Sequence, residues 1–194
     1  TGTGDQTVIM DAIAALPESG GVIVLSEGTF IVNDSINVKS NITIRGNNSV
    51  IKAEFVGGGV NPDIVIDDEG TAPIENFTLS NLKIDGQYSK RGAGCYLIAL
   101  NDVRNLILEN TTATDSELGV RVSGTDILIY NCNINTIGHA GLMFVGERVT
   151  VGPNNVIYNC RTGMEAVGKL SSSSVKGNTI YNNRCEGMLF RSAP

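Results

Sequence analysis

The only histidine of this chain, His139, lies where it could do acid–base chemistry. Glu117 comes 22 residues before it, Arg161 comes 22 residues after it, and Arg121 follows Glu117 closely. An imidazole is an effective general base near neutral pH, and a guanidinium neutralises and orients a carboxylate. Removal of the proton beside the carboxylate of a uronic acid needs both groups. These residues therefore predict chemistry on an acidic glycan, with the four of them as catalytic candidates.

Carboxylates nearby leave hydrolysis open as a second chemistry. Glycoside hydrolysis needs two carboxyl groups flanking the scissile bond. Asp115 could pair with Glu117 or with Asp85, and Glu165 is a further catalytic candidate. The structural alternative is that opposite charges on adjacent strands stabilise a solvent-facing sheet. For Asp85 the alternative is a turn aspartate that bonds to its own backbone.

A repeat must bring these distant residues together. Four glycines, each opening a short apolar segment, recur at intervals of 22, 22 and 24 residues: Gly119, Gly141, Gly163 and Gly187. A second series, assigned to a stacked asparagine column, precedes them by nine residues: Asn110, Cys132, Asn154 and Asn178, with Asn47 and Asn81 upstream. Such a period predicts a parallel β-helix in which equivalent residues of successive turns lie about 4.8 Å apart.

Alternation along each strand then predicts two columns on one outer face. One column is Arg121, Met143, Glu165 and Leu189, and the other is Glu117, His139, Arg161 and Cys185. Inside, the prediction stacks Val120, Leu142, Met164 and Met188, followed by Val122, Phe144, Ala166 and Phe190. We expect Tyr96 to be the outward residue one turn before Arg121. With Tyr88, Arg91 and Asp85 it forms the predicted substrate-binding set, and Tyr158 is a further residue that could stack on sugars.

Residues 5–16 have apolar side chains at helical spacing, namely Val8, Ile9, Ile13 and Leu16. We predict a helix that caps the open first turn, within one domain of residues 1–194 whose cap is 1–20 and whose β-helix turns are 21–194. The polar insertion 87–92 and the irregular stretch 55–70 are predicted to be loops at a functional groove. An uncapped last strand, Phe190 included, predicts further chain or another subunit at that end.

The net charge of −6 argues against a nucleic-acid partner, and no stretch is apolar enough to span a membrane. Without an initiator methionine or a signal-like segment, we expect a processed or excised domain. Cys160 and Cys185 fall on neighbouring turns, where a disulfide competes with free thiols. The residues imply no required cofactor, although the acidic run 67–70 is a candidate for Ca²⁺ as well as for a solvated turn.

Residues 4–32 and 41–46, with Leu25, Gly28, Thr29 and Phe30 at the turn, resemble the start of pectate-lyase-superfamily right-handed β-helix proteins. These include polysaccharide lyases and hydrolases, mannuronan C5-epimerase modules and phage tailspikes. The segment 81–87 is also similar to the epimerase modules. Residues 118–123, however, lack the tyrosine, aspartate and histidine of the epimerase motif, which argues against alginate epimerisation.

The resemblance implies an all-β, right-handed parallel β-helix. Together with the charged face it predicts an extracellular or cell-surface enzyme that cleaves an acidic glycan by elimination or hydrolysis. The alternative is a non-catalytic glycan-binding or structural module of a spike or cell surface. The expected partner is a polysaccharide, with neither nucleic acid nor membrane.

Overall fold

The computed structural model describes residues 4–55, 63–68, 73–91 and 95–191, and these form a parallel β-solenoid of about 7 turns. Every strand pair in these ranges is parallel. The elements are α1 Gln6–Ala15, β1 Gly21–Leu25, β2 Gly28–Val32, β3 Ile36–Asn37, β4 Ile42–Ala53, β5 Asp63–Asp67, β6 Glu75–Asp85, α2 Tyr88–Arg91, β7 Cys95–Glu109, β8 Thr112–Ser116, β9 Leu118–Tyr130, β10 Asn133–Ile137, β11 Ala140–Val151, β12 Val156–Tyr158, β13 Thr162–Ser171, β14 Ser174–Val175, β15 Thr179–Tyr181 and β16 Met188–Arg191. The predicted fold class is confirmed, and α2 is an addition to it.

Corners with left-handed backbone separate the three strand segments of each turn. At one corner Asn41, Asn76 and Asn105 have φ of 63°, 54° and 61°, and their side-chain amides bond in series at 2.8 Å. Asparagine tolerates this conformation better than most residues, so it recurs where the chain must turn tightly. Stacked amides then stabilise successive corners.

The predicted asparagine column combines residues from two adjacent columns of the structure. Every second residue of the prediction is therefore displaced by one position. The left-handed column contains Asn110, Asn131 and Asn154, whereas Cys132 and Asn178 belong to the next, inward column. In that inward column the buried Asn155 amide donates to Asn178 Oδ1 at 2.9 Å. Because turn lengths vary by one or two residues, the position nine residues before each glycine falls in one column in some turns and in the adjacent column in others.

The glycine column has a packing reason. A Cβ on Gly141 would lie 2.8 Å from the carbonyl oxygen of Gly163, and one on Gly163 would lie 2.5 Å from that of Gly187. These distances are shorter than real Cβ contacts, so only glycine lets the turns approach here. The column therefore fixes the register that positions the neighbouring side chains.

Helix α1 covers the first turn, as predicted, through Ile9 and Ile13, which are buried. Lys39 Nζ also donates to Leu16 O at 2.9 Å. Val8, which belongs to the apolar pattern of the predicted helix, is 66% exposed. It lies one residue before Ile9, about 100° around the helix, so it cannot share the face of Ile9 and Ile13.

The core is a continuous apolar column through the turns. The predicted inward residues Val120, Val122, Leu142, Phe144, Met164 and Ala166 are buried. Met188 in the last strand is partly buried and Phe190 is 63% exposed, so burial declines towards β16. The described helices include none long and apolar enough to cross a bilayer.

The four cysteines are free, so the disulfide between Cys160 and Cys185 is not formed. Cys95, Cys132 and Cys160 are buried, whereas Cys185 is exposed. The backbone N–H of Arg184 donates to Cys160 O, which places Cys185 one position past its supposed partner. Burial raises the pKa of the Cys132 and Cys160 thiols to about 11 in each case.

Candidate functional site

The front face is the sheet segment built from β3, β5, β13, β16 and the N-terminal halves of β7, β9 and β11. One predicted outer column lies on its strands, and the other lies at the edge where β9, β11, β13 and β16 begin. His139 N donates to Glu117 O at 2.7 Å, Arg161 N to His139 O at 3.2 Å, and Cys185 N to Arg161 O at 2.8 Å. Arg121 pairs with Met143, Met143 with Glu165, and Glu165 with Leu189. The glycine spacing therefore gives the correct register across this face.

The prediction that Tyr96 is the outward residue one turn before Arg121 is wrong. The register pairs Arg121 with Ala99, which is buried, and pairs Tyr96 with Leu118. Tyr96 nevertheless lines the same cavity as Arg121. The error arises because Leu97, and not a glycine, stands level with Gly119, so the glycine spacing does not mark the register in this turn.

A cavity of about 210 Å³ lies on the front face. Six side chains line it: Tyr96, Glu117, Leu118, Arg121, His139 and Met143. A carboxylate, a guanidinium, an imidazole and a phenol thus meet over an apolar base of Leu118 and Met143. The cavity is smaller than the roughly 300–1,000 Å³ of pockets that enclose drug-sized ligands, and it suits one sugar ring of a longer chain.

The charged groups at this cavity are not paired with one another. In the described part of the chain, the side chains of Glu117, Arg121, His139 and Arg161 make no hydrogen bond or ion pair. His139 Nδ1 is buried and has no hydrogen-bond partner. Ion pairs elsewhere, such as Arg148 with Asp126 at 2.6 Å, show what a stabilising contact between turns looks like in this molecule. The interpretation of this column as an ion-pair network is therefore not supported.

Helix α2 is tied down next to the cavity. Asp115 accepts hydrogen bonds from the Ser89 N–H at 2.8 Å and from the Ser89 hydroxyl at 2.6 Å. A Cβ on Gly138, the residue before His139, would lie 3.4 Å from Tyr88 Cε1. Tyr88 therefore lies against the bend between β10 and β11 that carries His139, whereas Asp115 anchors α2. The side chain of Arg91 lies outside the described residues.

Glu165 is the clearest departure from the predicted exposure. It occupies the expected outward column but is only 3% exposed, because Arg191 from the next turn covers it and donates to its Oε1 at 2.7 Å. Its Oε2 is buried without a hydrogen-bond partner. Glu165 is not among the residues that line the cavity.

The remaining candidates take structural roles. Asp85 accepts a hydrogen bond from Gln87 N at 3.1 Å and forms an ion pair with Lys83 at 3.2 Å, which matches the turn alternative. The Tyr158 ring stacks on Tyr181 with centroids 5.0 Å apart, so one of its faces is occupied. The structure therefore leaves Tyr88 and Tyr96 as the aromatic groups near the cavity.

The acidic segment shows no cation site within the described ranges, where no group of three or more His, Cys, Asp or Glu could hold a metal ion. Asp68 is buried and accepts a hydrogen bond from Asn101 N. Residues 69 and 70 of the candidate Ca²⁺ loop lie outside the described residues, as do residues 56–62. The prediction of a loop over 55–70 is wrong for Asp63–Asp67, which form strand β5.

Residues 62–194 match the family model described as right handed beta helix region. This chain belongs to the right-handed β-helix family. The A-module of the Azotobacter vinelandii mannuronan C-5 epimerase AlgE6 is similar at 18% identity with a TM-score of 0.63, covering 91% of this chain and 53% of that one. The chain thus spans about half the length of the epimerase module.

Two further structures are similar over most of this chain. A proposed glycosyl hydrolase from Parabacteroides merdae has 18% identity and a TM-score of 0.48, covering 98% of this chain and 90% of that one. The Streptococcus pneumoniae surface protein and adhesin PfbA has 13% identity and a TM-score of 0.42, covering 97% and 96%. No curated protein sequence matches the chain. At these identities the likeness to the epimerase module carries the right-handed β-helix fold alone.

The sequence interpretation missed Leu118 and Met143 as the apolar base of this β-helix site. Met143 lies in the predicted outer column, but no role in a site is predicted for it from the sequence. An apolar residue at a solvent-facing position of a repeat, next to charged ones, is the signal that could have identified the base.

Proposed function

We propose that the front-face cavity binds one sugar unit of an acidic polysaccharide and cleaves the chain by β-elimination. The observation that carries this proposal is that Glu117, Arg121 and His139 border one cavity while none of their side chains makes a hydrogen bond or ion pair with another described residue. Exposed ion pairs contribute only about 0–1 kcal/mol, and here even that gain is absent. Stability therefore does not explain why these groups gather.

In the proposed reaction, Arg121 holds the uronate carboxylate and lowers the energy of the carbanion-like transition state. His139 accepts the proton from C5 of the sugar, the electron pair forms the C4–C5 double bond, and the C4–O4 bond breaks. The leaving oxygen takes a proton from Tyr96 or from solvent. Atoms balance with an unsaturated uronate and a new chain end as products.

Elimination is favoured over hydrolysis by the position of the carboxylates. Hydrolysis needs two carboxyl groups at the bond, whereas Glu117 is the one carboxylate among the residues that line the cavity. Asp115 is bonded to Ser89, Asp85 to Lys83 and Glu165 to Arg191. A base and a cation, but not a second carboxylate, are therefore available.

The size and position of the cavity support a polymeric substrate. It accommodates one ring, and Arg161 extends the charged column to the next turn, where it could hold the carboxylate of a neighbouring unit. The epimerase module with the same fold is named for mannuronan, which is consistent with an acidic polymer on this scaffold. Action on such polymers would place the protein outside the cell or at its surface.

The test is incubation with a panel of uronic-acid polymers, followed by ultraviolet absorbance of unsaturated products and by reducing-end assays. We expect absorbance to rise with reducing ends, and His139→Ala and Arg121→Ala each to lower turnover about a hundredfold or more. Arg104→Ala is the matched control, because Arg104 pairs with Glu75 away from the site.

Each other outcome contradicts a defined part of the proposal. An increase in reducing ends without ultraviolet absorbance from unsaturated products would mean that the polymer is hydrolysed. Binding of a polymer without any product, abolished by Arg121→Ala, would support the non-catalytic glycan-binding module instead. Equal activity in the parent protein and in both variants would show that the reaction does not take place at this cavity.

A further inference from the structure

A second concave surface lies at a corner of the solenoid, away from the front face. This corner groove, of about 660 Å³, is lined by Gly46, Asn47, Asn48, Ser49, Val50, Asn81, Leu82, Lys83, Asn110 and Thr112. None of these residues lines the front-face cavity. The groove therefore requires an explanation independent of the proposed reaction.

The groove has an identifiable structural origin in β4. Its register with β6 shifts between Arg45, which pairs with Ser80, and Ser49, which pairs with Leu82. Three residues of β4, 46–48, therefore lie opposite the single residue Asn81 of β6. Asn47 and Asn48 therefore project beyond the corners of the next two turns. The Ser49 hydroxyl holds this bulge in place by accepting from Asn47 N at 3.0 Å and donating to Leu25 O at 2.7 Å. The wall of the groove is consequently a fixed feature of the backbone.

Three asparagines repeat through the groove on successive turns. Asn48, Asn81 and Asn110 all have left-handed backbone, with φ of 53°, 56° and 48°. The register places Asn81 level with Asn110, because Ser80 pairs with Glu109 and Lys83 pairs with Thr112. The side chains are exposed and recur at about the 4.8 Å spacing of adjacent strands.

These amides differ from the hydrogen-bonded asparagines at two other sets of corners in having no partner among the described residues. Asn41, Asn76 and Asn105 form a bonded ladder, and Asn154 Nδ2 donates to Asn131 Oδ1 at 3.0 Å. Within the described ranges, the side chains of Asn48, Asn81 and Asn110 make no hydrogen bond. Asn159 and Asn182 also combine left-handed backbone with no side-chain hydrogen bond among the described residues. The three groove asparagines are distinguished by recurring unpaired on three successive turns that line one groove.

The chemistry of the groove selects a class of ligand. Each amide offers two N–H donors and a carbonyl acceptor, which matches a hydroxyl that both donates and accepts. Lys83 is balanced by Asp85 at 3.2 Å, so no unpaired cation favours an anionic ligand. The repeat of about 4.8 Å is close to the advance of one sugar unit in an extended chain. We propose that the corner groove binds a neutral oligosaccharide chain running parallel to the solenoid axis.

No aromatic side chain lines the groove, so stacking on sugar rings adds nothing to binding. Net hydrogen bonds are modest individually, and we expect dissociation constants near the millimolar range. Such an affinity suits a site that holds a polymer through several units while chemistry happens elsewhere. The corner groove and the front-face cavity differ in charge, and they are expected to prefer neutral and acidic sugars respectively.

The experiment is a titration of isotopically labelled protein with cellotriose, mannotriose and xylotriose, followed by the NMR signals of asparagine side-chain NH₂ groups. Trigalacturonate is the acidic comparator. We expect at least one neutral trisaccharide to shift the Asn48, Asn81 and Asn110 signals in a saturable way. Asn81→Gly and Asn110→Gly keep the left-handed backbone and remove the amide, and each should weaken binding about fivefold.

Asn131→Gly is the matched control, because Asn131 lies in the same left-handed column but bonds to Asn154 outside the groove. The affinity of this variant for the neutral trisaccharide should equal that of the parent protein. The proposal is overturned if none of the neutral trisaccharides shifts these signals, if only trigalacturonate does, or if Asn131→Gly weakens binding as much as Asn81→Gly. None of these readouts depends on catalytic activity, so failure of the proposed elimination would leave the result interpretable.

Discussion

Single residues set how closely the turns approach, and the glycine column shows this most clearly. In Gly141→Ala the new methyl group would lie 2.8 Å from Gly163 O and 3.0 Å from Cys160 Sγ. Backbone must shift to relieve the first contact, and we expect a loss of about 1–3 kcal/mol in the free energy of unfolding. Urea denaturation measures it.

The matched control is Gly187→Ala in the last turn. Its new methyl group would meet only Ile180 Cγ2, at an ordinary 3.6 Å. This variant should be close to the parent in stability. Equal losses in the two variants would mean that glycine is needed for chain flexibility and not for close approach.

The buried thiols predict a pH dependence. Burial raises the pKa of Cys132 and Cys160 from 9.0 to about 11. Between these values the unfolded chain has released protons that the folded chain still binds, so stability falls as pH rises from about 9 to 11. Each thiol adds up to about 1.4 kcal/mol per pH unit to this slope.

Urea denaturation at several pH values between 8 and 10.5 checks this expectation. Cys132→Ala removes one thiol and should reduce the slope, whereas Cys185→Ala removes an exposed thiol and should leave the slope unchanged. A Cys132→Ala slope identical to that of the parent would show that this thiol does not titrate in the stated window.

At the scale of elements, α2 depends on one polar anchor. Ser89→Ala removes the hydroxyl that donates to Asp115 at 2.6 Å, a net contribution of about 1 kcal/mol. We expect amide hydrogen exchange in residues 86–91 to accelerate about fivefold, with the overall melting temperature nearly unchanged. If the proposed function holds, glycan turnover should fall too, because Tyr88 is part of α2.

Ser123→Ala is the control for this prediction. The Ser123 hydroxyl accepts from Asp102 N at 3.2 Å on the front-face strands, away from α2. Its exchange pattern in 86–91 should match the parent. Unchanged exchange in Ser89→Ala would mean that backbone contacts alone hold the helix.

At the scale of the whole molecule, stability should vary along the solenoid. Each turn contacts only its neighbours, so local stability is approximately a sum of nearest-neighbour terms. Strands β9 and β11 contain many buried residues, whereas β14, β15 and β16 contain none. We expect hydrogen exchange to be slowest in β9 and β11 and fastest in β15 and β16.

Ile13→Ala extends this prediction to the other end. It truncates a buried residue of α1 and should cost about 2–5 kcal/mol locally. Exchange should accelerate in β1, β2 and β3 but not in β13. Uniform acceleration over all turns would indicate a single cooperative unit instead of a nearest-neighbour array.

Much of the fold was predictable because in a solenoid the contacts between turns follow the sequence period. The recurrence of Gly119, Gly141 and Gly163 was enough to place Glu117, His139 and Arg161 on adjacent turns. Tyr96 and the asparagine column were misplaced, because an insertion or a one-residue change in turn length shifts a column without altering its composition.

The sequence by itself determined the parallel β-helix, its cap and the columns of the front face, since periodic apolar residues can be buried in only one register. The right-handed sense was implied by the family resemblance and not by the period. Only the tertiary structure decided which polar groups are free. Arg191 covers Glu165, Ser89 engages Asp115, and the bulge at Asn47–Asn48 opens the corner groove. Those outcomes depend on where corners and insertions direct side chains from neighbouring turns, and a repeat pattern carries no information on that geometry.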